Sequence, residues 1–199
     1  MGQLIIAISR EYGSGGHEIA EKLSLKLNLP IYDRNMLEEI AKGKNVDHSE
    51  LQRYDEAPKK KLLSRTVRGL SASNEANVAN MQFDYLREKA KAGESFVVVG
   101  RCAETVLKGN DGLISFFIRG DMENKIERIC NIRNMSAEEA KSTINRHDRT
   151  RKAYHNSFSD IKWGDSRNYD ITINSSKIGT DAVVEILLSY IDKITDKKQ

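Results

Sequence analysis

Three stretches of this chain are apolar almost without interruption: Ile5-Ile6-Ala7-Ile8, Phe96-Val97-Val98-Val99, and Ile114-Ser115-Phe116-Phe117-Ile118. A strand with one face in water alternates apolar and polar residues. A strand covered on both faces does not, and that is the habit of parallel sheets. With two weaker segments, the pattern predicts strands over residues 4–9, 30–33, 96–100, 113–119 and 169–174. Elsewhere the spacing turns helical. Residues 121–134 put Met122, Ile126, Ile129 and Cys130 on one face behind Asp121 as N-cap. Ser136-Ala137-Glu138-Glu139 has the form of a capping box that opens another helix. A last helix after Thr180 buries Val183, Val184, Leu187, Leu188 and Ile191. Strands alternating with helices predict a doubly wound α/β domain.

The stretch 34–94 carries no strand signal. Within it Ala76, Ala79, Phe83, Leu86 and Ala90 recur at three- and four-residue steps, a helical seam for the core or for a partner helix. Pro58-Lys59-Lys60-Lys61 reads as a charged, solvated turn, and the polar tail 192–199 is expected to fray.

Length and charge narrow the function classes. At 199 residues the chain fits one domain with an insertion or flap. Charged residues reach 31%, yet the net charge is only +3, which argues against a protein built to lie on nucleic acid. No apolar run approaches the roughly 18 residues a bilayer requires, and the chain starts directly in a strand with no leader pattern. A cytoplasmic protein is expected. Cys102 and Cys130 stand far apart and read as free thiols, and the four histidines form no ligand-spaced pair, so no metal site is expected.

The most informative segment follows the first strand: Ser9-Arg10-Glu11-Tyr12-Gly13-Ser14-Gly15-Gly16-His17. A strand, a glycine-rich turn and a helix together present several backbone N–H groups to a phosphate at a helix N-terminus. Gly13, Gly15 and Gly16 permit close approach, with Ser14, His17 and Glu18 beside them. The segment lacks the Gly-Lys-Ser/Thr ending of a standard P-loop. Arg10 is the nearest cation that makes up the charge. Glu18 fits either a cation ligand or an ordinary acid in the first turn of a helix.

Val99-Gly100-Arg101 ends the third strand, on the side of the sheet where open α/β folds bind ligands, and Arg101 offers a bidentate phosphate clamp there. The run 145–152 carries Arg146, His147, Asp148, Arg149, Arg151 and Lys152 between the fourth and fifth strands. It suits a flap whose arginines neutralise transferring phosphate; a solvated face and a nucleic-acid patch are the rival readings. The last strand ends in Asn174-Ser175-Ser176, equally suited to binding a base edge and to capping the next helix.

Taken in order, Ile8 to Gly16, Tyr32-Asp33-Arg34, Val99-Gly100-Arg101, the Arg146 to Arg151 run, and Trp163-Gly164-Asp165 through Tyr169-Asp170 to Ile173-Asn174-Ser175 resemble the cytidylate kinase-like family of the P-loop superfamily. The resemblance implies a five-stranded parallel sheet in the order 2-3-1-4-5 within a single domain over 1–199. It also implies a helical acceptor-binding insertion over 34–94 and a lid over 136–165. ATP and Mg2+ are implied, with a nucleotide such as CMP as acceptor. The partners are small-molecule nucleotides rather than nucleic acid or membrane, and a homo-oligomer is left open.

By position, Gly13, Ser14, Gly15, Gly16, His17, Glu18 and Asn174 fall to the nucleotide, Asp33, Arg34, Arg101 and Asp148 to the acceptor, and Arg10, Arg146, Arg149 and Arg151 to catalysis. The chain departs from the family's kinases at four places. Gly16 stands for the P-loop lysine, His17 for the magnesium-binding hydroxyl, Arg10 for the first loop glycine, and Cys102 for an aspartate. Those departures open two alternatives: a nucleotide-binding sensor without turnover, or a kinase of another small metabolite.

Overall fold

The structure is a computed structural model that describes residues 2–44, 48–58, 66–67, 70–71 and 73–197. In chain order the elements are β1 (Ile5–Arg10), α1 (Gly16–Leu27), β2 (Ile31–Tyr32), α2 (Met36–Lys44), α3 (His48–Arg53), β3 (Thr66–Val67), β4 (Leu70–Ser71), α4 (Asn74–Lys91), β5 (Phe96–Val99), α5 (Ala103–Val106), β6 (Leu113–Arg119), α6 (Met122–Arg133), α7 (Ala137–Phe158), β7 (Ile171–Asn174) and α8 (Gly179–Asp196).

The main sheet has five strands in the order β2-β5-β1-β6-β7, and every pairing in it is parallel. Counted along the sheet's own strands this is 2-3-1-4-5, as the resemblance implies. The apolar runs are covered on both faces. Ile5 and Ala7 join Phe96, Val98, Met36, Leu37 and Leu86 on one side. Ile6 and Ile8 join Val97, Val99, Ile19, Leu23, Val183 and Leu187 on the other. The helical seam Ala76, Ala79, Phe83, Leu86 and Ala90 lies on α4 and is buried within the chain itself.

Two expectations need correction. The stretch 34–94 contains the antiparallel pair β3–β4; strands of two residues are too short to show any period in sequence. Asp121 does precede α6, but its side chain makes no capping bond. Its Oδ1 instead accepts from Asn174 Nδ2 at 2.8 Å. The capping box at Ser136 and Glu139 is present at the start of α7. Of the charged turn Pro58-Lys59-Lys60-Lys61, the three lysines lie outside the described residues. Cys102 and Cys130 are free thiols. Among the described residues no helix is long and apolar enough to cross a membrane.

Candidate active site

β1 ends at Arg10, and the chain turns through Glu11 to Gly15 before α1 begins. Gly13 and Gly15 have φ of 83° and 78°, a left-handed backbone that glycine adopts without strain. Space excludes a side chain as well. A Cβ at Gly13 would lie 3.1 Å from Lys125 Cβ, and one at Gly15 would lie 2.7 Å from Thr180 Cγ2. Gly15 is the N-cap of α1 and has no side chain capping that end, which leaves first-turn amides for a bound anion. Gly15→Val is therefore expected to abolish any thermal stabilisation by ATP, with circular dichroism to confirm folding. A shift equal to the parent's would remove the loop from nucleotide binding.

The seventh loop position is filled from the first. A Cβ at Gly16 would meet Arg10 Cβ at 2.5 Å and Arg10 Cγ at 3.0 Å. The Arg10 stem thus crosses over the start of α1, where a P-loop lysine would emerge. Ser14 faces inward: it is buried, its hydroxyl donates to the Glu11 carbonyl at 2.9 Å, and its own carbonyl accepts from Ser175 Oγ at 2.6 Å.

Beyond the loop, three guanidiniums converge on one carboxylate. Glu56 Oε1 lies 3.2 Å from Arg10 Nη1 and 2.7 Å from Arg101 Nη1, and Glu56 Oε2 lies 3.8 Å from Arg151 Nε. Arg101 Nη2 also donates to Asp55 Oδ2 at 2.9 Å, and Asp55 Oδ1 accepts from Gln82 Nε2 on α4 at 3.0 Å. Burial alone would raise the Glu56 carboxyl, but Arg10, Arg101 and Arg151 outweigh it and hold the group well below the usual carboxylate range. Arg151 is pulled down to about 10 by burial and by Arg10, against Glu56 and Asp148. Gly100, Arg101 and Cys102 take φ of 76°, 61° and 52° in succession. Left-handed residues other than glycine cluster where a site over-determines the backbone.

The helix α7 carries the proposed lid run and docks on the loop at Tyr12. His147 stacks on the Tyr12 ring at 4.2 Å and 8°, and the Arg151 guanidinium lies 5.5 Å from its centroid. The Tyr12 N–H donates to Asp148 Oδ1 at 2.6 Å. Asp148 Oδ2 in turn accepts from Lys125 Nζ at 3.1 Å, and the same ammonium donates to Glu11 Oε2 at 3.0 Å. Arg151 Nη1 donates to the Arg10 carbonyl at 3.3 Å. Arg151 is thus drawn into the site, whereas Arg146 and Arg149 are exposed and have no ion-pair partner among the described residues. The far end of α7 is anchored: His155 Nε2 lies 2.6 Å from Glu104 Oε1, and Glu104 Oε2 accepts from Ser9 Oγ at 3.3 Å.

These elements enclose a cleft of about 580 Å³ lined by Arg10, Gly13, Gly15, Gly16, His17, Glu18, Asp33, Arg34, Arg101 and Arg151. Ser14, Arg146, Asp148, Arg149 and Asn174 are not among its lining residues. The Asn174 side chain binds Asp121 and accepts from the Ser176 N–H at 3.1 Å, which is the capping arrangement. Glu18 is held by Arg128, Lys22 and Thr180. Burial raises its carboxyl, yet bonds from Lys22, Thr180 and Arg128 bring it down to about 2.

Sequence reasoning passed over Asp55, Glu56, Tyr12 and Lys125, and the α6 residues Arg128, Ile129, Ile132 and Arg133 that form one cleft wall. Asp55 and Glu56 follow the six-residue helix α3, too short to show a period in sequence, so no local signal marked them.

The cleft and glycine loop fit a nucleotide's phosphates. The residues do not fit a magnesium ion held by the protein. No group of three or more His, Cys, Asp or Glu among the described residues is arranged for a metal. The position that would supply a hydroxyl is His17, whose Nε2 lies 3.3 Å from Glu21 Oε1 and 3.7 Å from Asp33 Oδ2. Magnesium prefers oxygen donors to imidazole.

Residues 5–177 match the cytidylate kinase-like family. The cytidylate kinase of Pyrococcus horikoshii is 27% identical over 98% of this chain and 93% of its own. That of Pyrobaculum islandicum is 24% identical over 94% and 92%. An uncharacterized protein from Eubacterium ventriosum, solved by crystallography, is 37% identical with a TM-score of 0.77, covering 96% of this chain and 99% of that one. The shikimate kinase of Acinetobacter baumannii, solved with shikimate, is 14% identical with a TM-score of 0.54 over 96% and 94%, a likeness of fold alone. The match spans every strand of the main sheet, the glycine loop and the docked helix, and on it the chain belongs to the cytidylate kinase-like family.

Proposed function

We propose that this chain is a small-molecule kinase that moves the γ-phosphoryl group of ATP to a nucleoside monophosphate of the CMP type. The carrying observation is the meeting of Arg10, Arg101 and Arg151 at the carboxyl end of the sheet, beside a glycine loop and a nucleotide-sized cleft. Phosphoryl transfer asks little covalent chemistry of the protein. It needs the two substrates aligned in line and the charge on the moving group neutralised.

In this reading the backbone of Gly13 to His17 cradles the donor phosphates, and Arg10 supplies the cation that a loop lysine would carry. Arg101 faces the acceptor phosphate, with Asp33 and Arg34 at the acceptor's end of the cleft. Arg151 borders the cleft, while Arg146 and Arg149 reach it only when α7 shifts. Any magnesium is carried by the nucleotide's own oxygens rather than by a protein cage.

The test is ADP formation from ATP across a panel of nucleoside monophosphates and small polyols. CMP is expected to be turned over best, and Arg149→Ala to lower kcat strongly with a modest change in acceptor KM, because the lid acts on charge that develops during transfer. Equal kcat in parent and variant would take Arg149 out of the mechanism. ATP binding without turnover on any acceptor would favour a sensor, the reading to which Gly16 and His17 point. Turnover on a polyol alone would make the chain a kinase of another metabolite.

A further inference from the structure

We propose that Glu56 is a positioning residue: its single carboxylate, carried by the insertion, gathers Arg10, Arg101 and Arg151 from three separate elements and holds them as one cage facing the cleft. This rests on the kinase reading above. Arg10 ends β1, Arg101 follows β5, and Arg151 rides on α7, so nothing local brings them together. Glu56 does, at 3.2, 2.7 and 3.8 Å.

The three arginines form a partition. They line the large cleft on one side and, on the other, a small space of about 10 Å³ that also touches Glu56, Cys102 and Tyr154. That space suits a single water. Glu56 borders only this inner space and not the cleft. Seen from the cleft it therefore stands behind the guanidiniums, and it acts through them.

Two further observations show that the arrangement is built in. Glu56 has a φ of 50° and Gly100 a φ of 76°. A Cβ at Gly100 would collide with Arg10 Nη1 and come within 3.0 Å of Glu56 Oε1. Only glycine at that turn lets the cage close. Nor does Glu56 saturate the cage: Arg101 Nε is buried without a hydrogen-bond partner, while Arg101 Nη1 and Arg151 Nε face Glu56 as ion pairs without hydrogen-bond geometry. Without the carboxylate, three like charges this close repel one another, and the cage opens.

The experiment compares Glu56→Gln with the parent in steady-state transfer from ATP and in calorimetric titration with CMP. Loss of alignment is expected to lower kcat about 100-fold. CMP binding is expected to tighten, because a negative charge has left the neighbourhood of three cations. A merely structural role would instead weaken binding and lower kcat together with the melting temperature, and that pattern overturns the assignment.

The double variant Glu56→Gln/Arg151→Ala should lose less than the two single losses combined, because part of the Glu56 effect runs through Arg151; losses that add in full would overturn the proposal as well. Should Glu56→Gln fail to fold, Glu56→Asp keeps the charge one methylene short. It is then expected to bind CMP like the parent with lowered kcat, and parental kcat there counts against the proposal. Arg101→Ala separates the two readings. Loss of CMP binding in that variant, with parental behaviour in Glu56→Gln, overturns the Glu56 assignment alone. Absence of CMP binding in the parent overturns the CMP reading. Inorganic phosphate then serves as probe: tighter binding by Glu56→Gln supports the cage, and unchanged or weaker binding overturns it.

Discussion

Lysine at position 16 is expected to remove nucleotide binding rather than to improve turnover, unless Arg10 is shortened at the same time. The first atom of any side chain there would sit 2.5 Å from Arg10 Cβ. Overpacking of this kind costs about 1–3 kcal/mol, and relief by displacing Arg10 breaks its contact with Glu56 at 3.2 Å. Gly16→Lys should therefore melt lower than the parent and lose its response to ATP. Arg10→Gly alone should weaken ATP by about 1.5–3 kcal/mol, the scale of a hydrogen bond to a charged group. The pair Arg10→Gly/Gly16→Lys restores one cation and one gap and should recover binding. Calorimetric titration of all three variants decides the matter. Parental melting and tighter ATP binding in the single Gly16→Lys variant would show that the Arg10 stem does not hold that space.

Arg101→Ala is expected to be the most destabilising substitution in the site. The Arg101 side chain is 1% exposed and faces Asp55 and Glu56, themselves 9% and 13% exposed. Removing one member of a buried ionic group leaves its partners uncompensated, at about 3–5 kcal/mol. For a chain of this size that is a fall in melting temperature of about 6–20 °C. Arg101→Lys keeps the charge but not the fork that reaches Asp55 and Glu56 together, so it should recover only part of the loss. A fall of less than about 2 °C in Arg101→Ala would mean that the two acids find other partners or take up protons.

The sheet was legible because its strands are buried on both faces. Ile5 to Ile8 and Phe96 to Val99 have no polar position to blur the pattern, and the helices between them announce their own caps and seams. The glycine loop was legible for a similar reason, since three glycines in four positions answer a backbone demand. The cage was not. Glu56 lies 46 residues from Arg10 in the chain, in a segment without period, and its importance arises wholly from tertiary convergence. Tyr12 and Lys125 escaped for the same cause: one is an aromatic in a loop, the other a lysine on a surface-patterned helix, and only tertiary packing, of α7 on Tyr12 and of Glu11 and Asp148 on Lys125, gives them partners. Asn174 shows the opposite case. The sequence left base binding and capping in balance, and the bonds to Asp121 and Ser176 are those of a cap.

The unbroken helix α7 has a mechanical meaning. Its 22 residues make a rod about 33 Å long, with its foot set in the core where His155 meets Glu104. A cover made of loose chain must surrender roughly 1–2 kcal/mol of backbone freedom per residue each time it orders over a substrate. A rod has already made that sacrifice during folding. On the lid reading proposed above, moving Arg146 and Arg149 towards the cleft would work against the packing of Ala140 and Ile144 on Ile129 of α6, the grip of Asp148 and His147 on Tyr12, and the hold of Arg151 on the Arg10 carbonyl and Glu56. The speed of such a movement would be set by how firmly these packed contacts are held, not by how long a loop takes to find its shape.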